Sequence, residues 1–263
     1  MISAAIFILI YMCVWFALSV WRRDMGIVDV GWGLGFVVWT WLRFFGEIPI
    51  GAWSLSHILL LISVTCWGLR LSAHIGYRDF IKEKEDWRYA AWRNEWGDTV
   101  LWRSFLQVFM LQGVFLWVIA LPITLAPPLH LGTEHLEHPL LFLLRMVGFI
   151  VFLFGFVYET VADWQLLQFT LSVRVKGEIL KTGLWKYSRH PNYFGEIVVW
   201  WGVFIIAMPY GAIPIVALAL LSPLTITWLL NRVSGVPMLE RRWTENAEYQ
   251  TYIHTTNPLI PKL

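Results

Sequence analysis

Apolar residues run along this chain in long blocks broken by short polar connections, and the block length carries the first inference. Stretches of the size needed to cross a bilayer's hydrocarbon, about 20 residues as helix, occur at roughly 2–20, 27–45, 55–75, 104–126, 139–163, 192–209 and 211–231. The pattern predicts an all-α polytopic membrane protein, one domain over 1–263 with seven transmembrane helices. A backbone inside lipid must satisfy its own hydrogen bonds, which requires helices, and the short alternating strands of a barrel are absent. A very tight turn at Pro209-Tyr210-Gly211 is expected between the sixth and seventh spans. The first block has no basic region before it and no small-x-small cleavage site, so it is expected to persist as a mature helix.

Lysine and arginine set the orientation. They gather at Arg22 and Arg23, across Arg78 to Arg103, across Arg174 to Arg189, and in the tail at Arg232, Arg241, Arg242 and Lys262. The alternate connections, 46–54, 127–138 and 209–211, hold none. The positive-inside rule therefore predicts an outside N-terminus and a cytoplasmic C-terminus. The stretch 77–103 mixes charge with Trp87, Tyr89, Trp92 and Trp96 and is expected to lie as an amphipathic segment on the cytoplasmic surface.

Composition agrees with the pattern: 58% hydrophobic and 14% charged residues, with mean hydropathy +0.60. Many of the 18 tryptophans sit near block ends, where an amphipathic ring suits the headgroup zone. A net charge of +2 without a basic stripe argues against nucleic acid as a partner. Cys13 and Cys66 lie inside apolar runs and read as small buried hydrophobes, neither a disulfide nor a metal pair.

The informative residues are polar groups inside the blocks, because a charge at mid-span costs at least ~2.5–3.5 kcal/mol. Asp29 opens the second span, Arg70 and His74 close the third, Glu159 and Asp163 close the fifth, and Asn192 and Glu196 open the sixth. All fall at cytoplasmic ends, and the last three pairs are four apart, each on one helical face. Together they predict a polar pocket in the cytoplasmic half of the bundle. In the second span, Gly31 and Gly35 form a small-xxx-small face for packing on a neighbour.

The loop 171–191 is expected to bind an anionic cofactor. It carries Arg174, Lys176, Lys181, Lys186 and Arg189 with the rings of Trp185, Tyr187 and, just beyond it, Tyr193. Arginine matches phosphate oxygens and aromatic faces stack on planar rings. Pro191 at the expected helix start leaves free N–H groups beside it.

The run from Gly183 to Glu196, GLWKYSRHPNYFGE, resembles the C-terminal signature of the steroid 5-alpha-reductase superfamily in its bacterial membrane branch. The runs Gly26–Gly33, Trp67–Leu71 and Ser234–Glu240 are similar to the same branch, so the likeness covers most of the chain. The resemblance implies a seven-helix enzyme of the bacterial cytoplasmic (inner) membrane. It would hold NADPH in its cytoplasmic half and reduce a carbon–carbon double bond conjugated to a carbonyl in a lipophilic small molecule reached through the membrane lipids. It also implies that Asn192 and Glu196 meet the nicotinamide end, Asp163 and Arg174 the adenosine side, and Arg78 the phosphates, with phosphate or ribose contact from Arg189 and His190. Glu159, Lys176, Trp185, Tyr187 and Tyr193 complete the expected cofactor wall. The second span lacks the Gln-Glu pair of the steroid enzymes, and Ile75 stands where they have a tyrosine. Asp29, His74 and Tyr77 are therefore the catalytic candidates. The alternative is an S-adenosylmethionine-dependent membrane methyltransferase of the isoprenylcysteine carboxyl type, which shares an Arg-His-Pro-x-Tyr run.

Overall fold

The computed structural model describes residues 1–82, 85–126, 139–172, 177–208 and 213–262. The expected tight turn at Pro209–Gly211, Lys84, Arg174 and Lys176 lie outside the described residues. Among those described, the chain is helical and contains no strand. The principal helices are α1 (Ile2–Arg22), α2 (Ile27–Glu47), α3 (Leu55–Lys82), α4 (Trp87–Ile119), α5 (Pro139–Leu171), α6 (Pro191–Ala207) and α7 (Ile213–Trp228), followed by the short α8 (Val236–Glu240) and α9 (Ala247–Thr255).

Six helical stretches are long and apolar enough to cross a membrane: α1, α2, α3 through Ile81, α4, α5 and Ile213–Trp243. That fits an integral membrane protein. The sixth expected block forms α6, an apolar helix of 17 residues. Ahead of the fourth expected block, Trp87–Trp96 is helical from an Asp86 cap and ends at Gly97, φ +47°; after a 3-10 turn, helix resumes at Val100 and runs into a π-helical stretch, Ser104–Met110. Gly97, followed by Asp98 and Thr99, supplies the break, since all three are poor helix formers.

Two compact units carry the packing. The first comprises Met1–Pro139 with Ala207–Leu221, and the second Leu140–Ile206 with Ser222–Leu263. In the first, α2 lies against α3 with backbones in close approach: a Cβ on Gly33 would stand 2.5 Å from the Gly68 carbonyl oxygen, and one on Gly68 2.6 Å from that of Gly33. Lipid supplies no hydrophobic drive between helices, so contact of this closeness is what van der Waals attraction requires. Gly31 and Gly35, expected as the packing face, instead receive side chains. Trp15 of α1 lies over Gly31, and Leu116 of α4 reaches Gly35. Buried polar atoms along α2 are paired, as Tyr11 Oη donates to the Gly31 carbonyl at 2.7 Å, and Trp39 Nε1 donates to Thr124 Oγ1 at 2.9 Å.

In the second unit, α5 and α6 run antiparallel on a glycine seam. A Cβ would meet the Ile206 nitrogen at 2.8 Å from Gly148, the Val199 nitrogen at 2.6 Å from Gly155, the Glu159 nitrogen at 2.6 Å from Gly195, and the Phe152 nitrogen at 2.5 Å from Gly202. Two glycines per helix, seven residues apart, keep one face bare over two turns. The opposite side of α5 exposes Ile150, Leu153, Phe154 and Val157, a face suited to lipid and not to water.

Candidate functional site in the second unit

The seam fixes where the polar residues of α5 and α6 fall. With Gly195 against Glu159, the first turn of α6 meets the polar turn of α5, and Asn192 Nδ2 donates to Asp163 Oδ1 at 3.1 Å. Glu159 and Asp163 are both buried. The Asn192 carboxamide oxygen is buried with no hydrogen-bond partner among the described residues. A buried acceptor left in that state costs about 1–3 kcal/mol, so its persistence calls for a partner.

The segment before α6 is held by local contacts. Gly183 adopts φ +62°, and a side chain there would also meet the Gln165 amide at 2.5 Å. Gln165 Oε1 accepts from the Leu184 amide at 3.0 Å, and Trp185 Nε1 donates to the Ala162 carbonyl at 3.2 Å, anchoring the turn Gly183–Lys186 to α5. Gly183→Ala should therefore cost about 1–2 kcal/mol from the left-handed backbone alone, with the steric conflict added. A fall in thermal midpoint checks it, and an unchanged midpoint would rule out the anchoring role.

Arg189 is committed inside the protein. Its Nε and Nη2 donate to the two Glu240 carboxylate oxygens at 2.8 and 3.2 Å, and Nη1 donates to the carbonyls of Ile253 and Thr256. The side chain expected to make a phosphate or ribose contact thus has its fork on Glu240 and the end of α9. The backbone continues the grip: the Arg189 and His190 amides donate to the carbonyls of Asn257 and Pro258, and the Lys262 amide to that of Tyr187. Tyr252 Oη donates to the Trp185 carbonyl. The C-terminal segment is thus tied to 185–190 along its length.

His190 is buried, with Nε2 3.1 Å from Glu240 Oε1 and its ring stacked on Tyr193 at 5.4 Å. Burial pushes its pKa below the usual histidine range, against an upward pull from Glu240. Burial likewise raises the Tyr249 and Tyr252 phenols above their ordinary range.

These elements line an open-sided cavity of about 180 Å³ whose walls include Trp185, His190, Asn192, Trp243, Tyr249 and Tyr252, with Glu178 and Arg242 also on the lining. It is smaller than the roughly 300–1,000 Å³ typical of a drug-sized ligand's site, and so would take part of a larger molecule, the rest lying outside it. Of the expected cofactor residues, the structure brings Trp185, Arg189, His190 and Asn192 to this cavity. Asp163 stands behind Asn192 and Tyr193 behind His190. Tyr187 is half-buried under the Lys186 ammonium, 5.6 Å from the ring centre, and Glu196 is half-buried one turn beyond Asn192. Glu240, Trp243, Tyr249 and Tyr252 were not among the expected site residues. The signal was weak: Glu240 closes a quoted motif, and Tyr249 and Tyr252 are three apart on one helical face.

The catalytic candidates belong to the first unit. Asp29 accepts from Arg88 Nη2 at 2.8 Å and from Tyr89 Oη at 2.6 Å, and Gln112 Nε2 reaches the same phenol at 3.3 Å. Both oxygens of Asp29 are therefore engaged by α4. On α3, His74 is half-buried, Tyr77 is 52% exposed, and Arg78 Nε lies 3.4 Å from Asp79 Oδ1.

No solved structure matches the chain. An uncharacterized protein of Schizosaccharomyces pombe is 24% identical over 257 residues, which cover 89% of this chain and 70% of that protein. Residues 15–256 match the model of the family described as "Protein of unknown function (DUF1295)", so the chain belongs to that family.

Proposed function

We propose that the chain is a membrane-embedded, NADPH-dependent reductase of a carbon–carbon double bond conjugated to a carbonyl, acting on a lipophilic substrate such as a steroid-like, isoprenoid or fatty-acyl compound. The observation that carries this reading is Asn192. Its amide is spent on Asp163, its buried oxygen awaits a donor, and the residue stands on the wall of an aromatic-rich cavity at the start of a helix. A cofactor carboxamide or amino group is a donor of the required kind. The likeness of the 183–196 run to the steroid 5-alpha-reductase superfamily points the same way.

In this reading α6 is a seventh span: 17 residues rise about 25 Å, close to the lower limit for crossing the hydrocarbon. In the same reading the N-terminus lies outside and the C-terminus and cofactor end lie at the cytoplasmic face of a bacterial inner membrane, an orientation that the loop lysines and arginines support. NADPH, when bound, supplies a hydride to the β-carbon of the substrate. The chain's part is to hold the ring against Asn192 and Trp185, keep water out with the C-terminal tyrosines, and provide an acid where enolate charge develops. Asp29, His74 and Tyr77, the residues the sequence offers for such an acid, belong to the first unit, where Asp29 is held by Arg88 and Tyr89.

One observation favours the methyltransferase as a second reading: the Arg189 fork is spent within the protein, and S-adenosylmethionine has no phosphates to require it. Thermal titration in detergent decides between them. NADPH at about 100 times its dissociation constant should stabilise the fold by ~2.7 kcal/mol, while S-adenosylmethionine should leave the midpoint unmoved. The opposite pattern would exchange the two readings.

A further inference from the structure

We propose that His190, oriented by Glu240, makes the cavity of the second unit a proton-linked anion site: the imidazole takes up a proton as a pyrophosphate group enters. This rests on the reductase reading for the identity of the anion, and deepens it by replacing the spent Arg189 with a switchable charge.

The charges on the lining carry the argument. Arg189 is cancelled by the Glu240 carboxylate it grips. Glu178 and Arg242, both exposed, bear opposite signs. The groups against His190 are Arg189 on its own segment, Glu240 from α8 and Tyr193 from α6; Tyr249 and Tyr252 of α9 line the same cavity, and Asp163 of α5 pairs with Asn192. The tyrosines are pushed further from titration by burial. Among the described lining residues, His190 is the group that can change charge near neutrality.

Its tautomer follows from its partner. A carboxylate only accepts, so Nε2 carries the hydrogen toward Glu240 and Nδ1 is left as the base. Glu240 thereby prepares the ring for an added proton, because the carboxylate stabilises the imidazolium once formed. Without a ligand, burial holds the ring's pKa below the usual histidine range, against the pull of Glu240. An anion in the cavity adds the favourable interaction that burial withholds and draws the proton onto Nδ1. The site then gains one positive charge only when there is a negative charge to meet, which avoids burying a second cation against the one carboxylate that Arg189 already holds.

Calorimetric titration of the full chain with ADP-ribose, in two buffers of different ionisation enthalpy at about pH 7, tests this. ADP-ribose keeps the pyrophosphate diester, which does not titrate near neutrality, and lacks the nicotinamide. The expected result is net proton uptake on binding, with affinity weakening up to about tenfold per unit as pH rises through the linked range, and with uptake lost in His190→Gln. The wild-type proton count needs no variant and decides the question if His190→Gln does not fold. Binding without uptake, uptake unchanged in His190→Gln, or no binding of ADP-ribose would each overturn the proposal. Uptake with ADP-ribose when NADPH fails to stabilise the chain would keep the site and sink the reductase reading. NADPH stabilisation without ADP-ribose uptake would do the reverse.

Discussion

Arg189→Met is expected to destabilise the second unit by about 3–5 kcal/mol, the range seen when one partner of a buried ion pair is removed. Arg189 is 7% exposed and makes four hydrogen bonds, two to Glu240 and two to the carbonyls that end α9. Methionine fills much of the volume and satisfies none of these acceptors. The cost comes mainly from what is stranded: a half-buried carboxylate beside His190 and two carbonyls facing no donor. The double variant Arg189→Met/Glu240→Leu should be less damaging than the single one, since it removes the stranded charge together with its partner. Thermal midpoints in detergent and protease sensitivity of the C-terminal segment measure both. A single variant within about 1 kcal/mol of wild type would mean that the grip on α9 contributes little.

Gly195→Val should cost at least the about 1–3 kcal/mol of core overpacking, and the upper end is expected because the obstruction is backbone. A Cβ at Gly195 meets the Glu159 nitrogen at 2.6 Å and its Cα at 2.8 Å, atoms that cannot swing aside as the tip of a side chain can. Relief requires α5 and α6 to separate, which pulls Asn192 from Asp163 one turn away. Loss of ligand-induced stabilisation should therefore accompany the loss of stability. Gly46→Ala in α2 is the control, since nothing lies within 4 Å of a Cβ there, and a helical Gly→Ala change in open space is neutral or stabilising. Equal behaviour of the two variants would remove the seam as the determinant of the site.

The split between legible and hidden structure runs along these same residues. Block length gave the helices, because a lipid-embedded backbone has few solutions and twenty apolar residues in a row announce one of them. Of the polar residues that spacing grouped, Asn192, Asp163 and Glu159 meet at the first turn of α6, whereas Asp29, Arg70 and His74 belong to the first unit. Block length left Trp87–Trp96 outside the fourth span, and the chain does break between them, at Gly97 with φ +47°. Gly33, and not Gly31 or Gly35, makes the backbone approach in α2 because the choice of face belongs to the neighbour, and Gly68 lies 35 residues away in sequence.

Arg189 shows the boundary most clearly. The sequence by itself determined that an arginine and a histidine stand before a helix with Asn192 in its first turn, and that such residues suit an anionic ligand. Only the tertiary structure decided that the arginine is spent on Glu240, a residue 51 positions away. Composition cannot reveal that pairing, because a guanidinium meets a phosphate and a carboxylate with the same fork. Which of the two it holds depends on what the fold brings within 3 Å.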